Sequence, residues 1–154
     1  KYPYDTAYNT CGFGDFAVCR KKSTAPEILE EYDRLGKVIL NTRQGYAKCS
    51  ICIVNEYSLI TADEGIYRLL KANNLNVLKI QPGFVELYNM SGFIGGASGL
   101  ISNDILAFCG SLTNHPDGLS IRSFCKDLKI DVIELNSGNL KDIGSIIVYD
   151  NEAV

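Results

Sequence analysis

The chain has 154 residues, 46% of them hydrophobic and 21% charged, with a formal net charge of −3. This is the size and composition of one globular domain with a substantial core. Nucleic-acid binding needs clustered cations, and the only basic run is Arg20-Lys21-Lys22, so we expect no nucleic-acid partner. No apolar run approaches the ~20 residues that span a bilayer, so we expect no membrane partner either.

The six cysteines are predicted to be reduced thiols in a cytoplasmic protein, because a chain with this aliphatic content needs no disulfides. Cys49 and Cys52 have the spacing of a redox or metal-binding pair, but they lie in an apolar stretch that is typical of a strand. The chain has no second pair of this kind, and it has one histidine. The spacing therefore does not indicate zinc, and we expect neither a metal nor a cofactor.

A strand-strand-helix-strand unit is predicted in the amino-terminal part of the chain. Short strand-like segments lie around Cys11 and at residues 16–19. The motif TAPE at residues 24–27 has the spacing of a capping box and places a proline in the first turn of a helix. The apolar residues 38–40 then predict a short buried strand.

The same order recurs in the middle of the chain. Residues 50–54 and 59–60 predict two strands, the motif TADE at 61–64 predicts a second capping box, and residues 77–80 predict the closing strand. The pattern is an internal repeat, which is the sequence signature of a repeat architecture.

A third copy has predicted strands at residues 100–101 and 105–108, a helix that starts with Pro116-Asp117, and a strand at 132–135. Residues 143–149 predict the first strand of a fourth unit. The predicted fold class is thus α/β, with repeated β-β-α-β units.

These copies divide a single domain, residues 1–154, into units at about 6–44, 45–91, 92–139 and 140–150. A unit of this length cannot bury its helix face alone, so we expect the units to pack side by side and close into a ring. Three units and the start of a fourth leave an open strand edge, which invites pairing with another chain. We expect either a fragment of an α/β ring or a homo-oligomer that completes one.

Several motifs resemble an uncharacterised Firmicutes family to which the pentein fold is assigned. The motifs are YPYD at residues 2–5, AYN at 7–9, QGYAKCS at 44–50, GFIGGASG at 92–99, HPD at 115–117 and DIGSI at 142–146. Penteins are α/β propellers of the guanidine-modifying superfamily, which includes arginine deiminases and amidinotransferases. The resemblance implies that amino-terminal residues of the bacterial family are missing here.

The resemblance also implies a catalytic site. Enzymes of the superfamily carry a cysteine nucleophile after a glycine-containing turn, and GYAKCS at residues 45–50 fits that pattern with Cys49. A histidine serves as general acid and base, which points to His115, and carboxylates such as Asp5, Asp117 and Asp142 would hold the guanidinium. Thiolate attack on a guanidinium carbon requires these groups together.

Other interpretations of the same residues stay open. Asn9 and Ser145 are further candidates for substrate binding in a polar channel. Cys49 is otherwise a small buried hydrophobic residue, and the HPD motif of His115 otherwise begins a helix. The glycines of residues 92–99 either cradle an anion or allow close backbone approach.

Two functions follow from this pattern. The first is a hydrolase or transferase that acts on a small guanidino or amidine compound through a covalent thiouronium at Cys49. The alternative is a non-catalytic pentein that binds a small ligand or a macromolecule. A matched set of cysteine, histidine and carboxylates in one channel would favour the enzyme.

Overall fold

The computed structural model of the chain describes residues 2–148. This part has four α-helices: α1 (Pro26–Arg34), α2 (Ala47–Ser50), α3 (Glu64–Ala72) and α4 (Gly118–Asp127). Short 3-10 helices lie at Tyr4–Thr6 and Leu112–Asn114. None of the helices within residues 2–148 has the length and apolar character that a membrane crossing requires.

The strands form four sheets of three strands each among the described residues. In chain order they are β1 (Cys11–Phe13), β2 (Phe16–Cys19), β3 (Val38–Asn41), β4 (Ile51–Ile53), β5 (Ser58–Thr61), β6 (Asn76–Lys79), β7 (Val85–Leu87), β8 (Met90–Ser91), β9 (Ser98–Ser102), β10 (Ile105–Phe108), β11 (Asp131–Glu134) and β12 (Leu140–Lys141).

Three of these sheets share one topology. Strand β2 pairs antiparallel with β1 and parallel with β3, β5 does the same with β4 and β6, and β10 with β9 and β11. Each parallel pair is connected through α1, α3 or α4. The predicted order of strand, strand, helix and strand is confirmed in all three copies. Placement of the sheets around one axis, and pairing of their open edges with a second copy, stay predictions.

The central strands explain why each unit folds around its second strand. All four residues of β5 are buried, and β2 and β10 each have three buried residues. A helix covers one face of such a strand and a neighbouring unit covers the other, so Leu59 and Ile60 of β5 belong to different buried clusters. The helices supply the matching apolar side chains, such as Ile66 and Leu70 of α3, which are one turn apart.

The buried apolar residues form two clusters. One cluster joins the first two units, and the other joins the second and third units to the segment around Ile94 and Leu140. Cys11, Cys52 and Cys125 are buried within these clusters. Those thiols contribute to packing as small apolar groups.

The helix starts differ from the predicted capping boxes. The Thr24 hydroxyl donates to the carbonyl of Arg20, and Ala25 occupies the cap position of α1 without a side-chain bond. Helix α3 is capped by Asp63, whose Oδ1 accepts from the backbone N–H of Ile66 at 2.7 Å. Both predicted cap threonines, Thr24 and Thr61, instead hydrogen-bond to carbonyls of neighbouring segments, so local spacing placed the caps one or two residues early.

Two predicted strand assignments were wrong. Cys49 lies in α2 and not in a strand, because the strand begins only at Ile51. Residues 143–148 form no strand, since the backbone φ angles of Gly144 and Ser145 are +94° and +122°. Such angles interrupt an extended ladder. Tyr149, the last residue of that predicted strand, lies outside the described residues.

The glycine-rich segment at residues 92–99 is the meeting point of several parts of the chain. A side chain at Gly96 or Gly92 would overlap the side chain of Asp142. A side chain at Gly95 would overlap the backbone carbonyl of Ile51, and one at Gly99 would overlap that of Ile146. These glycines therefore allow close approach, which is one of the two interpretations that the sequence left open.

We expect Gly96→Ala to destabilise the protein by at least about 2 kcal/mol, because the added methyl group displaces the Asp142 carboxylate or the backbone that holds it. Urea unfolding measures the change in the free energy of unfolding. Gly12→Ala is the control, since its new methyl group would lie 3.4 Å from the Tyr32 ring, an ordinary contact. Equal stability of the two variants would contradict the crowding at Gly96.

Candidate functional site

Cys49 lines a cavity of about 630 Å³. Cys49 is half-buried, as is Cys109, whereas Cys11, Cys19, Cys52 and Cys125 are buried. The cavity is lined by residues of α2, the β7–β8 hairpin, the glycine-rich segment and the chain after β12: Tyr46, Cys49, Leu87, Tyr88, Met90, Ser91, Phe93, Asp142, Ile143 and Gly144. Four separate parts of the chain thus meet around one thiol.

Asn9 fixes the position of that thiol. Its Oδ1 accepts from the backbone N–H of Lys48 at 2.8 Å and of Cys49 at 3.3 Å, which satisfies two free donors at the start of α2. Its Nδ2 donates to the Cys49 sulfur at 3.1 Å. One amide therefore holds both the backbone and the side chain of the cysteine.

Asp142 supplies the negative charge of the cavity. Its Oδ2 accepts from the backbone N–H of Phe93 at 2.9 Å, and its Oδ1 accepts from that of Gly144 at 3.0 Å. A carboxylate has about four acceptor positions, so two remain for a ligand. The carboxylate is oriented by the backbone and keeps capacity for a cation.

Lys48 and Ser145 form a brace behind the cavity. The Lys48 ammonium donates to Ser145 Oγ at 2.8 Å, and that hydroxyl donates to the carbonyl of Gly95 at 2.8 Å. Ser145 has a φ of +122°, an angle that disfavours residues with a side chain, so these bonds offset backbone strain. The brace connects α2 with the turn that carries Asp142.

Aromatic rings form one wall of the cavity. The ring centroids of Tyr46 and Phe93 are 5.9 Å apart, and Tyr2 lies 6.1 Å from Tyr46 on the other side. The Tyr46 hydroxyl donates to the exposed Asp5 carboxylate at 3.1 Å. Asp5 is thus tied to the cavity through Tyr46 and is not one of the residues that line it.

The pKa of Cys49 is raised above the ordinary thiol range, and burial is the main cause. The charge of Asp142 raises it further, whereas the hydrogen bond from Asn9 and the charge of Lys48 lower it. The thiol is therefore protonated at neutral pH. A cation bound beside Asp142 would remove one of the two causes of the raised pKa.

His115 and Asp117 lie elsewhere. The imidazole is buried, its Nδ1 accepts from the backbone N–H of Asp117 at 3.0 Å, and its ring is 5.4 Å from that of Phe84. The Asp117 carboxylate accepts from the backbone N–H of Gln81 at 2.6 Å. Neither residue lines the Cys49 cavity within the described part of the chain.

The structure thus brings together Cys49, Asn9 and Asp142, places Ser145 behind them, and separates His115 from them. Sequence reasoning overlooked the aromatic wall, although Tyr46 and Phe93 both lie inside the quoted glycine-containing motifs. Residues 2–148 hold no group of three or more histidine, cysteine or acidic side chains arranged as metal ligands.

Comparisons with known proteins agree with this fold. The model of a family of unknown function, DUF6873, matches residues 1–147. The structure is similar to a cysteine-to-serine variant of C. jejuni agmatine deiminase with substrate bound, a pentein-fold enzyme, with a TM-score of 0.50 and 9% identity. The match covers 86% of this chain and 54% of that one, so the chain spans about half the length of the enzyme. No curated protein sequence matches the chain.

At 9% identity, this similarity shows a shared pentein-like α/β fold but does not show the activity of the chain. The predicted pentein-like fold is supported at that level. Closure of a propeller and the assignment of a source organism stay predictions.

The alkylation of Cys49 by iodoacetamide will follow the thiolate, so we expect its midpoint above the ~8.5 of free cysteine. Asp142→Asn should move the midpoint to lower pH, because it removes a negative charge. Asn9→Asp should move it to higher pH, because it removes the donor to sulfur and keeps the oxygen that binds α2. Peptide mass mapping measures each rate.

The control for this series is Asp5→Asn, which changes a carboxylate tied to the same cavity without a direct effect on the thiol. An unchanged midpoint in both Asp142→Asn and Asn9→Asp would show that neither group sets the Cys49 pKa.

Stability should fall below about pH 6.5, because burial lowers the pKa of His115 in the folded chain. The unfolded chain then binds the proton more readily than the folded chain, so the His115 contribution is complete above pH ~6.5 and decreases as the pH approaches the lowered pKa. The variant His115→Asn keeps an acceptor for the backbone N–H of Asp117 but does not titrate. Urea unfolding of the parent and of this variant as a function of pH measures the His115 contribution to the free energy of unfolding. If the free energy of unfolding depends on pH in the same way for both proteins, the predicted contribution of His115 is contradicted.

Proposed function

The chain belongs to DUF6873, a family of unknown function, and we propose that it binds a small guanidino or amidine compound and reacts with it through Cys49. The observation that carries this proposal is that the Cys49 thiol and the Asp142 carboxylate line one cavity, and that the Asn9 amide donates a hydrogen bond to that thiol. The class of reaction is that of a cysteine-dependent hydrolase or transferase.

The Cys49 cavity suits a planar cation with a short stem. Asp142 would accept two N–H bonds from a guanidinium or amidinium group, which is a strong charge-assisted pair. Tyr46 and Phe93 present aromatic faces that attract a cation. Leu87 and Met90 would lie against an apolar stem.

Cation binding also activates the nucleophile. A guanidinium beside Asp142 would neutralise the charge that raises the Cys49 pKa, and its own positive charge would favour the thiolate. The thiol would then ionise mainly when the reacting cation is in place. This arrangement would keep Cys49 unreactive towards other electrophiles in the free protein.

The first step is attack of the Cys49 sulfur on the central carbon of the cation. A carbon–sulfur bond forms, a carbon–nitrogen bond breaks, and the amine that leaves takes the proton given up by the thiol. The product on Cys49 is a cationic thiouronium when the substrate is a guanidinium, and a cationic thioimidate when it is an amidinium. In a hydrolase, water then replaces sulfur, the thiol is restored, and one proton is released with the urea or amide product. In a transferase, a second amine takes the place of water.

A second candidate function is non-catalytic binding of the same class of cation. It is favoured by the position of His115, since no imidazole lines the Cys49 cavity in the part of the chain that the structure describes. Without such a group, water attack on the thiouronium would be slow. The two functions share the binding site and differ in turnover.

The proposal is tested with two matched electrophiles, 2-chloroacetamidine, which is a cation, and 2-chloroacetamide, which is neutral. After correction for their reactivity with a free thiol, we expect the amidine to alkylate Cys49 at least about tenfold faster, the effect of ~1.4 kcal/mol of charge pairing. Asp142→Asn should remove this preference, and Cys49→Ser should remove the label.

The same preparation is incubated with guanidino compounds, and ammonia release and the mass of the intact chain are followed. Release of ammonia that requires Cys49 supports a hydrolase, and protection of Cys49 without release supports binding alone. Equal rates for the two electrophiles would refute cation recognition at this cavity.

A further inference from the structure

A second cavity, of about 250 Å³, lies beside the Cys49 cavity and shares two lining residues with it, Ser91 and Phe93. Its wall comes from the end of α2, the start of α3, the chain after β6 and the start of the glycine-rich segment. The lining residues are Ser50, Ala62, Asp63, Ile80, Gln81, Pro82, Gly83, Val85, Ser91, Gly92, Phe93 and Ile94. Its volume is just under the ~300 Å³ at which ligand pockets begin, so an occupant would be small.

Ser50 is the residue in this wall that points to a ligand. It is 2% exposed, and its hydroxyl has no hydrogen-bond partner among the described residues, whereas its backbone carbonyl accepts from Thr61. A buried hydroxyl without a partner costs stability, and alanine would fill the same position without that cost. Such a group is the kind that is retained for a bound molecule.

The negative charge of Asp63 indicates that this molecule would be a cation. Among the described residues that line the cavity, Asp63 has the only ionisable side chain. The lining is therefore negative, and no cationic side chain offsets that charge. Its Oδ1 caps α3 through Ile66, but its Oδ2 has only a 3.5 Å contact from the Gln44 amide. One carboxylate oxygen therefore keeps most of its acceptor capacity.

The outer wall is held in place by His115, which the sequence suggested as a catalytic residue, and by Asp117, which it suggested for substrate binding. Gln81 donates its backbone N–H to the Asp117 carboxylate at 2.6 Å, and Phe84 packs its ring against His115. The segment that carries Gln81, Pro82 and Gly83 is thus anchored to the start of α4. This anchored wall favours a preformed site.

We propose that this second cavity binds a primary ammonium group on a short apolar stem. The ammonium would donate to Asp63 Oδ2 and to the Ser50 hydroxyl, and the stem would lie along Ile80, Val85 and Ile94. The site is separate from the chemistry at Cys49, so it does not depend on the function proposed for that residue.

The probe is n-butylammonium, with n-butanol as the neutral analogue of the same length. Binding is measured by ¹⁵N-amide chemical shifts of the whole chain and by thermal unfolding. We expect saturable binding of n-butylammonium in the millimolar range, with shifts at residues 50, 63, 80 and 94, and at least about tenfold weaker binding of n-butanol.

Three variants separate the contributions. Asp63→Asn keeps a residue that caps α3 well but removes the charge. It should therefore weaken the binding of n-butylammonium about tenfold or more without loss of the fold. Ser50→Ala should raise the melting temperature of the free chain and weaken the binding of n-butylammonium. Cys49→Ser should leave n-butylammonium binding unchanged.

Several outcomes would overturn the proposal. They are the absence of saturable binding, equal binding of n-butanol, unchanged affinity in Asp63→Asn, and a lower melting temperature of free Ser50→Ala, which would show that the hydroxyl is already satisfied. Loss of binding in Cys49→Ser would place the ammonium in the Cys49 cavity instead. The results for n-butanol, Asp63→Asn and Ser50→Ala leave the electrophile test at Cys49 unaffected, so failure of one proposal is distinguishable from failure of the other.

Discussion

The carboxylate of Asp142 is packed against the backbone of the glycine-rich segment, and much of the described structure depends on this contact. There is room for it only because Gly92 and Gly96 have no side chain. Its oxygens accept from the backbone N–H groups of Phe93 and Gly144, which ties the chain after β12 to the middle of the sequence. A half-buried carboxylate is stabilised where backbone donors meet it in this way.

Both cavities take their shape from that contact. Phe93, held by its backbone bond to Asp142, lines the cavity of Cys49 and the cavity of Ser50. The neighbouring Gly95 and Gly96 lie against α2, where Gly96 donates to the carbonyl of Cys49. Adjacent residues of one short helix thus face two cavities of negative charge, one with a thiol and one with a hydroxyl. Burial is the main cause of the raised pKa of the thiol, and the charge of Asp142 raises it further.

Much of the fold and part of the site could be predicted from the sequence. The repeated strand-strand-helix-strand order was readable because apolar periodicity and helix boundaries are local properties, and Asn9 and Asp142 were selected with Cys49 as candidate site residues. His115 was selected for its chemistry alone. It packs in a different place because its loop, after β10, is held by the contacts of His115 with Phe84 and of Asp117 with Gln81. Residue type indicates what a side chain can do, but its neighbours come from distant parts of the chain.

The sequence by itself determined the order of strands and helices in the three units and the chemical groups available. Only the tertiary structure decided which groups meet. The distances along the chain are 40 residues from Asn9 to Cys49 and 49 from Phe93 to Asp142, and no local pattern specifies contacts over such separations. The last segment shows the same limit. The isoleucines and the valine of residues 143–148 are typical of a strand. The hydrogen bonds of Asp142 and Ser145, however, require backbone angles that a strand excludes. Hydrogen bonding of the polar groups there outweighed local propensity.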